Sequence, residues 1–569
     1  MAGEASAFVR SRTLVYGSGA VSLQASPRYL RSAIGNLQRM NRTSFALALL
    51  AAGLVSAALL ATDPLSRSLL GNSLRLAFGT TAIALPLGTL VAILLARTDV
   101  AGRRLLAVML GVLLILPLLT QLAGWDALIG KLGWLSLKTG SVAEPWLVGM
   151  RGAIFVHAMS ALPWAALIVA VGLLQADPQL EEVALLDVSP LTVLLRVSLV
   201  RAWPFLLGAG VWTVISTTTE MTVTNIYLIN TYTEQIYNSF ALNTDPLAVG
   251  WRLWPGLLLL GVLAAATILV LRQLADAWTS LLHRPAIVFR LGAWRTFLTA
   301  LLWAFVLLLL ALPIASLIVK AGFVTSRTAD GQLVSGWSLL RTSEVLSDAP
   351  LRFRYEFFWS VVSALAAATL ATLAAVMLVW YALRGGWRVI PLALSLTAGL
   401  AIPGPLVAVA IIWLLNREGM PGFTWLYDRT IVGPALAQGV RALPIAVLIV
   451  WPALASVPRR TLEAAELDGL GRWGQLRWIA LPQRSAAMVA AWLLSAAVAF
   501  GDLSHSLLVI PPGMDTIQRR LFGLVHAGVD EQVAAVSLLM VAGYAGAAAL
   551  GWRLIARYLP AGAGQDGVY

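Results

Sequence analysis

The chain has 569 residues, 59% of them hydrophobic and only 12% charged, with a mean hydropathy of +0.82 and a formal net charge of +13. A water-soluble chain of this size carries about a quarter charged residues and divides into several domains, so this composition is that of a polytopic membrane protein. Cysteine is absent, which excludes disulfides, thiolate metal sites and cysteine nucleophiles. The arginines are spread over many short loops rather than gathered on one face, which argues against nucleic acid as the partner of the positive charge.

Residues 1–43 hold Arg10, Arg12, Arg28, Arg31, Arg39 and Arg42 but no apolar run of signal-peptide length, and read as a basic cytoplasmic tail. Crossing the hydrocarbon takes about 20 mostly apolar residues. Twelve stretches qualify: 44–62, 74–96, 105–125, 152–175, 204–226 and 253–271, then 296–319, 357–382, 389–415, 432–455, 485–510 and 533–556. They form a first transmembrane domain, 44–271, and a second, 296–556, separated by a cytoplasmic linker at 272–295 and followed by a tail at 557–569. Pro403-Gly404-Pro405 predicts a kink in the ninth span. With the N-terminus inside, the larger share of the loop arginines falls on the cytoplasmic side, and the C-terminus is cytoplasmic too.

The two halves repeat. Ala161-Leu162-Pro163 recurs as Ala442-Leu443-Pro444, 281 positions on, and Leu186-Asp187 recurs as Leu467-Asp468 at the same offset. Ser73 near the head of the second span resembles Ser360 at the head of the eighth. An even number of spans per half makes the repeats parallel, related by an axis along the membrane normal. In each half an inward loop carries a helix–turn–helix pattern. The first opens on Asp177-Pro178, a capping residue before a proline suited to a first helical turn, followed by Glu181 and Glu182. The second opens on Ser456-Val457-Pro458, followed by Glu463 and Glu466; Gly469 is placed to end the helix in a left-handed cap, and a second short helix over about 472–480 leads to Pro482.

These residues carry a resemblance. Glu463, Ala464, Ala465, Gly469, Ile479, Leu481 and Pro482 are similar to the EAA loop of type I binding-protein-dependent ABC importer permeases. The first loop departs from the pattern, with Val183 for the middle alanine, Val188 for the glycine and no Leu-Pro at the expected place. The resemblance implies the all-α membrane fold of those permeases, about twelve transmembrane helices in two parallel six-helix repeats fused in one chain. It also implies that Glu182, Ala184 and Asp187 in the first loop, and Glu463, Ala464, Ala465, Asp468 and Gly469 in the second, form coupling helices. Those would dock on two cytoplasmic ABC ATPase subunits, with an external solute-binding protein delivering cargo at a bacterial inner membrane. The stretch from Gly501-Asp502 through Pro511-Pro512-Gly513 to Gly528 resembles fused ferric-iron permeases, which makes ferric iron the first expectation for the cargo; polyamine and thiamine permeases are close relatives and supply the alternative.

Charged groups inside spans are costly and often functional. Glu220 and Asp502 fall at comparable places near the outer ends of the fifth and eleventh spans, and His505 lies three residues beyond Asp502. Carboxylate and imidazole suit a hard or borderline metal ion, and carboxylates also suit an amine cation; the competing reading is a set of solvated groups or helix caps at the membrane edge. His157 reads as a packed wall residue of the fourth span. The sequence contains no phosphate-binding loop of the G-x-x-x-x-G-K-[ST] type and no HExxH zinc motif. ATP and magnesium are therefore expected on partner subunits and no cofactor in this chain. A secondary transporter would need coupling-ion residues deep in the spans and no docking loops, and a membrane enzyme would need clustered catalytic groups.

Overall fold

The computed structural model describes residues 64–558 except 132, 140–144, 177, 242–255, 257, 260, 263, 267–286, 328–332 and 418. The expected basic tail, the first span at 44–62, most of the sixth at 253–271, much of the linker and the capping Asp177 lie outside the described residues.

In the first half, helix α1 (Pro64–Arg97) covers the second expected span. The third expected span is broken: α2 (Arg103–Ile115) and α3 (Leu118–Ile129) meet at 102° around Leu116-Pro117. Proline lacks the N–H that the ladder needs and drives the residue before it to extended backbone, as Leu116 shows with ψ 126°. Helix α4 (Gly149–Leu174) then crosses, and α5 (Pro178–Leu185) turns out of the bundle. A short helical run, 190–201, contains a π turn at Leu194–Ser198 and bends by 63° into α6 (Trp203–Thr218). The fifth expected span therefore stops eight residues early, at Thr218 rather than 226, and two short helices follow, α7 (Thr222–Ile226) and α8 (Tyr232–Ala241). Three threonine hydroxyls at its end, those of Thr217, Thr218 and Thr219, donate to carbonyls one turn back, at 2.7, 2.8 and 2.8 Å, and the chain then turns at Glu220, whose carboxylate takes the N–H groups of Thr222 and Val223.

The second half begins with α9 (Arg295–Ala321), and among the described residues it departs from an all-α chain in one place. Strands β1 (Phe323–Arg327) and β2 (Leu333–Trp337) pair antiparallel, with Phe323 opposite Trp337. After α10 (Leu339–Arg352) and α11 (Arg354–Ala382), the ninth expected span breaks at the predicted proline: α12 (Val389–Ala401) and α13 (Gly404–Leu415) meet at 117° around Ile402-Pro403. Helices α14 (Pro421–Arg429), α15 (Val432–Ala455) and α16 (Arg459–Leu467) follow. A run over 472–483, with a π turn at Leu476–Ala480, bends by 81° into α17 (Ser485–Phe500). The eleventh expected span ends there, ten residues before 510, because Gly501 and then Pro511-Pro512-Gly513 interrupt the ladder. Helices α18 (Ile517–His526) and α19 (Asp530–Tyr558) complete the described residues.

Six helices are long and apolar enough to cross a membrane, and up to ten spans result if each bent pair counts as one, among the described residues. The elements recur at a near-constant offset: α5 and α16 start 281 residues apart, and the π turns and both ends of α6 and α17 lie 282 apart. The one extra residue of the second loop falls next to Gly469, between the Leu-Asp pair and the following helix. Packing inside the bundle uses small side chains at helical spacing. Ala364, Ala367, Ala371 and Ala375 form one buried face of α11, and Ala435, Ala442 and Ala446 lie buried on α15. In lipid, where apolar area gains nothing by being buried, such faces let backbones approach closely.

Candidate functional site

Two features stand out: a pair of helix–turn–helix loops at one end of the bundle, and a cavity between the halves.

In the first loop, Glu182 and Asp187 are exposed and Ala184 is half-buried; in the second, Glu463, Ala464, Asp468 and Gly469 are exposed and Ala465 is buried against the bundle. The left-handed turn expected at Gly469 is present, with φ 83°. The equivalent apolar residues Leu186 and Leu467 are 84% and 90% exposed, which leaves a greasy knob beside the acids on each loop. The loops are anchored differently. In the first, Glu181 rather than Glu182 turns inward. It is wholly buried, pairs with the guanidinium of Arg97 at the end of α1, and accepts from Ser198 Oγ at 2.6 Å on the π turn. Arg97 also donates to Leu173 O at 3.0 Å and lies 5.3 Å from the centre of the Phe289 ring, whose backbone N–H donates to Arg97 O. The second loop has no buried ion pair among the described residues. It is held through Arg484 donating to Ser456 O at 2.7 Å, Gln475 donating to Leu462 O at 3.3 Å and Arg472 donating to Trp380 O at 3.3 Å.

The cavity, of about 170 Å³, forms where the broken segments converge. Pro117 packs on Gly501, where an added Cβ would come within 2.9 Å of the proline ring, and Gly404 packs on the backbone of Ser504 at 2.5 Å by the same measure. Irregular backbone at membrane depth is tolerated where it is buried in protein or lines such a cavity. Glu220, Asp502 and His505 all line it, as does His157. Glu220 follows the end of α6 and receives the N–H groups of Thr222 (2.6 Å) and Val223 (3.1 Å), so it caps α7 while facing the cavity. It also accepts from Ser504 Oγ of the other half at 3.2 Å, and its second oxygen lies 3.8 Å from His157 Nε2. Asp502 sits 282 residues later, in the equivalent place. Its Oδ1 meets His505 Nδ1 at 2.8 Å, and its buried Oδ2 has no hydrogen-bond partner among the described residues. The expected closeness of Asp502 and His505 is thus present, though across an irregular turn and not a helical one. Thr222 and Ser504 are also 282 apart, and their hydroxyls are 3.4 Å from one another. A residue that touches its own repeat counterpart lies on the axis relating the halves, so this cavity is on that axis.

Sequence reasoning thus identified the groups that meet here and missed the tie between them, Thr222 with Ser504, and it placed Glu181 in the first loop without its buried pairing with Arg97. Trp164 and Trp212, with ring centres 5.0 Å apart, are also cavity walls that hydropathy left among the apolar residues. The lining can hold a cation: two carboxylates from opposite halves, one with an unused buried oxygen, beside two indole faces. No three His, Asp or Glu side chains are grouped closely enough to ligate one metal ion among the described residues.

A bundle of broken and straight helices apolar enough to cross a membrane, with a cavity that faces two carboxylates and with paired helix–turn–helix loops, is the architecture of a multi-pass transport permease. No family model matches the chain. It is 31% identical over 186 residues to the spermidine/putrescine transport system permease protein PotC of Haemophilus influenzae, a match spanning 32% of this chain and 68% of that protein. The Escherichia coli K12 PotC is 28% identical over 236 residues (41% of this chain, 84% of that protein), and the putrescine transport system permease protein PotI of the same strain is 26% identical over 225 residues (39% and 79%). The chain belongs to the binding-protein-dependent ABC importer permeases. The names of these three relatives carry polyamines, so ferric iron as the first expectation for the cargo has no support and its alternative fits better.

Proposed function

We propose that this chain is the fused membrane channel of an importer for organic polycations of the polyamine class. The supporting observation is the axial cavity, where Glu220 and Asp502 come from equivalent places in the two halves and Trp164 and Trp212 form an adjoining wall. An alkylammonium group can donate a charge-assisted hydrogen bond to the free Asp502 Oδ2 and lie against an indole face, whereas a hard trivalent metal ion needs several converging oxygens. In this reading each half contributes six spans, the repeats are parallel, and both termini are cytoplasmic. The exposed acids and leucines of α5 and α16 dock on two ATPase subunits that carry ATP and magnesium, and an external binding protein delivers the cargo. Nucleotide-driven movement of the loops rocks the halves about the axial site.

The test is uptake by a strain lacking this chain and complemented with wild type or variants. Radiolabelled putrescine and spermidine should enter with wild type, and ⁵⁵Fe should not. Asp502→Asn removes one charged partner of the ammonium, which is worth roughly 1.5–3 kcal/mol, so apparent affinity should fall about tenfold or more. Restoration of iron uptake without polyamine uptake would reject the polyamine assignment.

A further inference from the structure

The cavity has one more charged wall residue, which the cation reading does not use. Arg441 lies within α15 and lines the cavity opposite in sign to Glu220 and Asp502. At a rise of about 1.5 Å per residue it is some 14 Å from one end of α15 and some 21 Å from the other, well inside the membrane. No hydrogen bond or ion pair joins it to another side chain among the described residues. Arginine does not lose its proton in proteins, so this is a permanent positive charge on the wall of the cavity. Its repeat counterpart, 281 positions earlier on α4, is Ser160, which lines the same cavity without charge.

We propose that Arg441 is the electrostatic barrier that keeps small inorganic cations from leaking through the resting channel. Two carboxylates facing a cavity at membrane depth attract potassium, sodium and protons as well as amines. A fixed cation beside them raises the free energy of any small ion passing the same cross-section, which is how a positive residue excludes cations from other narrow pores. The local backbone lets this charge be moved. Pro444 lacks the N–H that would bond to Val440 O, one position before Arg441, so the ladder is open next to the charge. Gly399 of α12 lies over that freed carbonyl; a Cβ there would be 2.7 Å from Val440 O and 2.9 Å from the Pro444 ring. Only three residues beyond its other end, α15 becomes α16, the second coupling helix. Displacement of α16 by an ATPase reaches Arg441 along α15, whose ladder is open at two points on the way, Pro452 and Pro444, and withdraws the barrier in step with the driven cycle. The leak function rests on the cavity being the pathway but not on the identity of the cargo.

The test uses the chain with its ATPase subunits in liposomes loaded with potassium, with no nucleotide, cargo or binding protein, read by a potassium electrode. Arg441→Gln should raise passive efflux about tenfold, since one fixed charge nearby changes small-ion occupancy by roughly that much, and Arg441→Lys should stay tight. The second variant moves the charge to the symmetric wall: Ser160→Arg combined with Arg441→Gln should return efflux to the wild-type level. Wild-type efflux in Arg441→Gln overturns the proposal. So does a leak that the transplanted arginine fails to close, because that outcome marks a loosened bundle and not a lost barrier. Failure of polyamine uptake in the complementation strain would reject the cargo and leave this result standing.

Discussion

The buried pair of Arg97 and Glu181 is the clearest place to perturb α5, the first of the two proposed coupling helices. Both side chains are fully buried, and Glu181 has two partners, the guanidinium and Ser198 Oγ at 2.6 Å. Arg97→Met keeps much of the length and apolar contact but leaves the carboxylate buried with the hydroxyl alone. Removing one member of a buried pair costs about 3–5 kcal/mol, because the other charge loses its compensation. At about 1.4 kcal/mol per tenfold, local opening of the loop becomes some hundred- to several thousandfold more frequent. The cost falls on α5, since Arg97 ties α1 both to Glu181 and, through Leu173 O, to the end of α4. Hydrogen–deuterium exchange of peptides covering residues 178–185 reads this directly, and protection should collapse in Arg97→Met while peptides from α11 keep theirs. The double variant Arg97→Met with Glu181→Leu removes both charges and should recover most of the protection, since an apolar pair of similar volume is often as stable as a buried ion pair. Unchanged protection in the single variant, or a double variant no better protected than the single, would refute the reasoning.

Three further outcomes are expected. Gly469→Val must hold a β-branched residue at φ 83°, at a cost of about 1–2 kcal/mol, and should abolish cargo-stimulated ATP hydrolysis while the protein still reaches the membrane; normal stimulation would remove α16 from the coupling role. The chain has no native cysteine, so Leu340→Cys should react with an impermeant maleimide added outside intact cells and Ile287→Cys should not, and the reverse pattern would invert the proposed topology. Leu228 is 84% exposed and held at φ 54°, and the residue 285 positions later in the second half, Gly513, has φ 79°; Leu228→Gly should raise the melting temperature in detergent, relieving about 1 kcal/mol of strain, and a lower melting temperature would mean that the side chain contributes more than its backbone costs.

Hydropathy located the spans that fall within the described residues because twenty apolar residues in a row have few alternatives to a membrane helix. It did not locate their breaks equally well. Pro403-Gly404-Pro405 is conspicuous, whereas Leu116-Pro117 sits in an unbroken apolar run, and the structure bends both by more than 100°. The ends of α6 and α17 were overshot for a related reason: threonines and a glycine are compatible with a membrane helix, and only the carboxylates that follow them, turned back toward the axis, mark where the ladder stops. Repeat spacing was the stronger guide to the site. It paired Glu220 with Asp502, and it related Ser73 to Ser360, which accept the backbone N–H groups of Tyr232 and Ile517 at 3.3 and 2.8 Å near the starts of α8 and α18. What spacing could not decide is which of two adjacent acids turns inward. Glu181 and Glu182 differ by one 100° step around a helix, and the choice is made by an arginine 84 residues away.

Two separate identical subunits around a twofold axis can place charges near that axis only in pairs. A single chain that carries both halves is free of that restriction. Here each half places an acid against the cavity, Glu220 and Asp502, yet one position along α4 and α15 holds serine on one side and arginine on the other. Joining the halves in one polypeptide thus makes an odd number of charges available around a shared cavity, and with it a net sign that can be set one residue at a time.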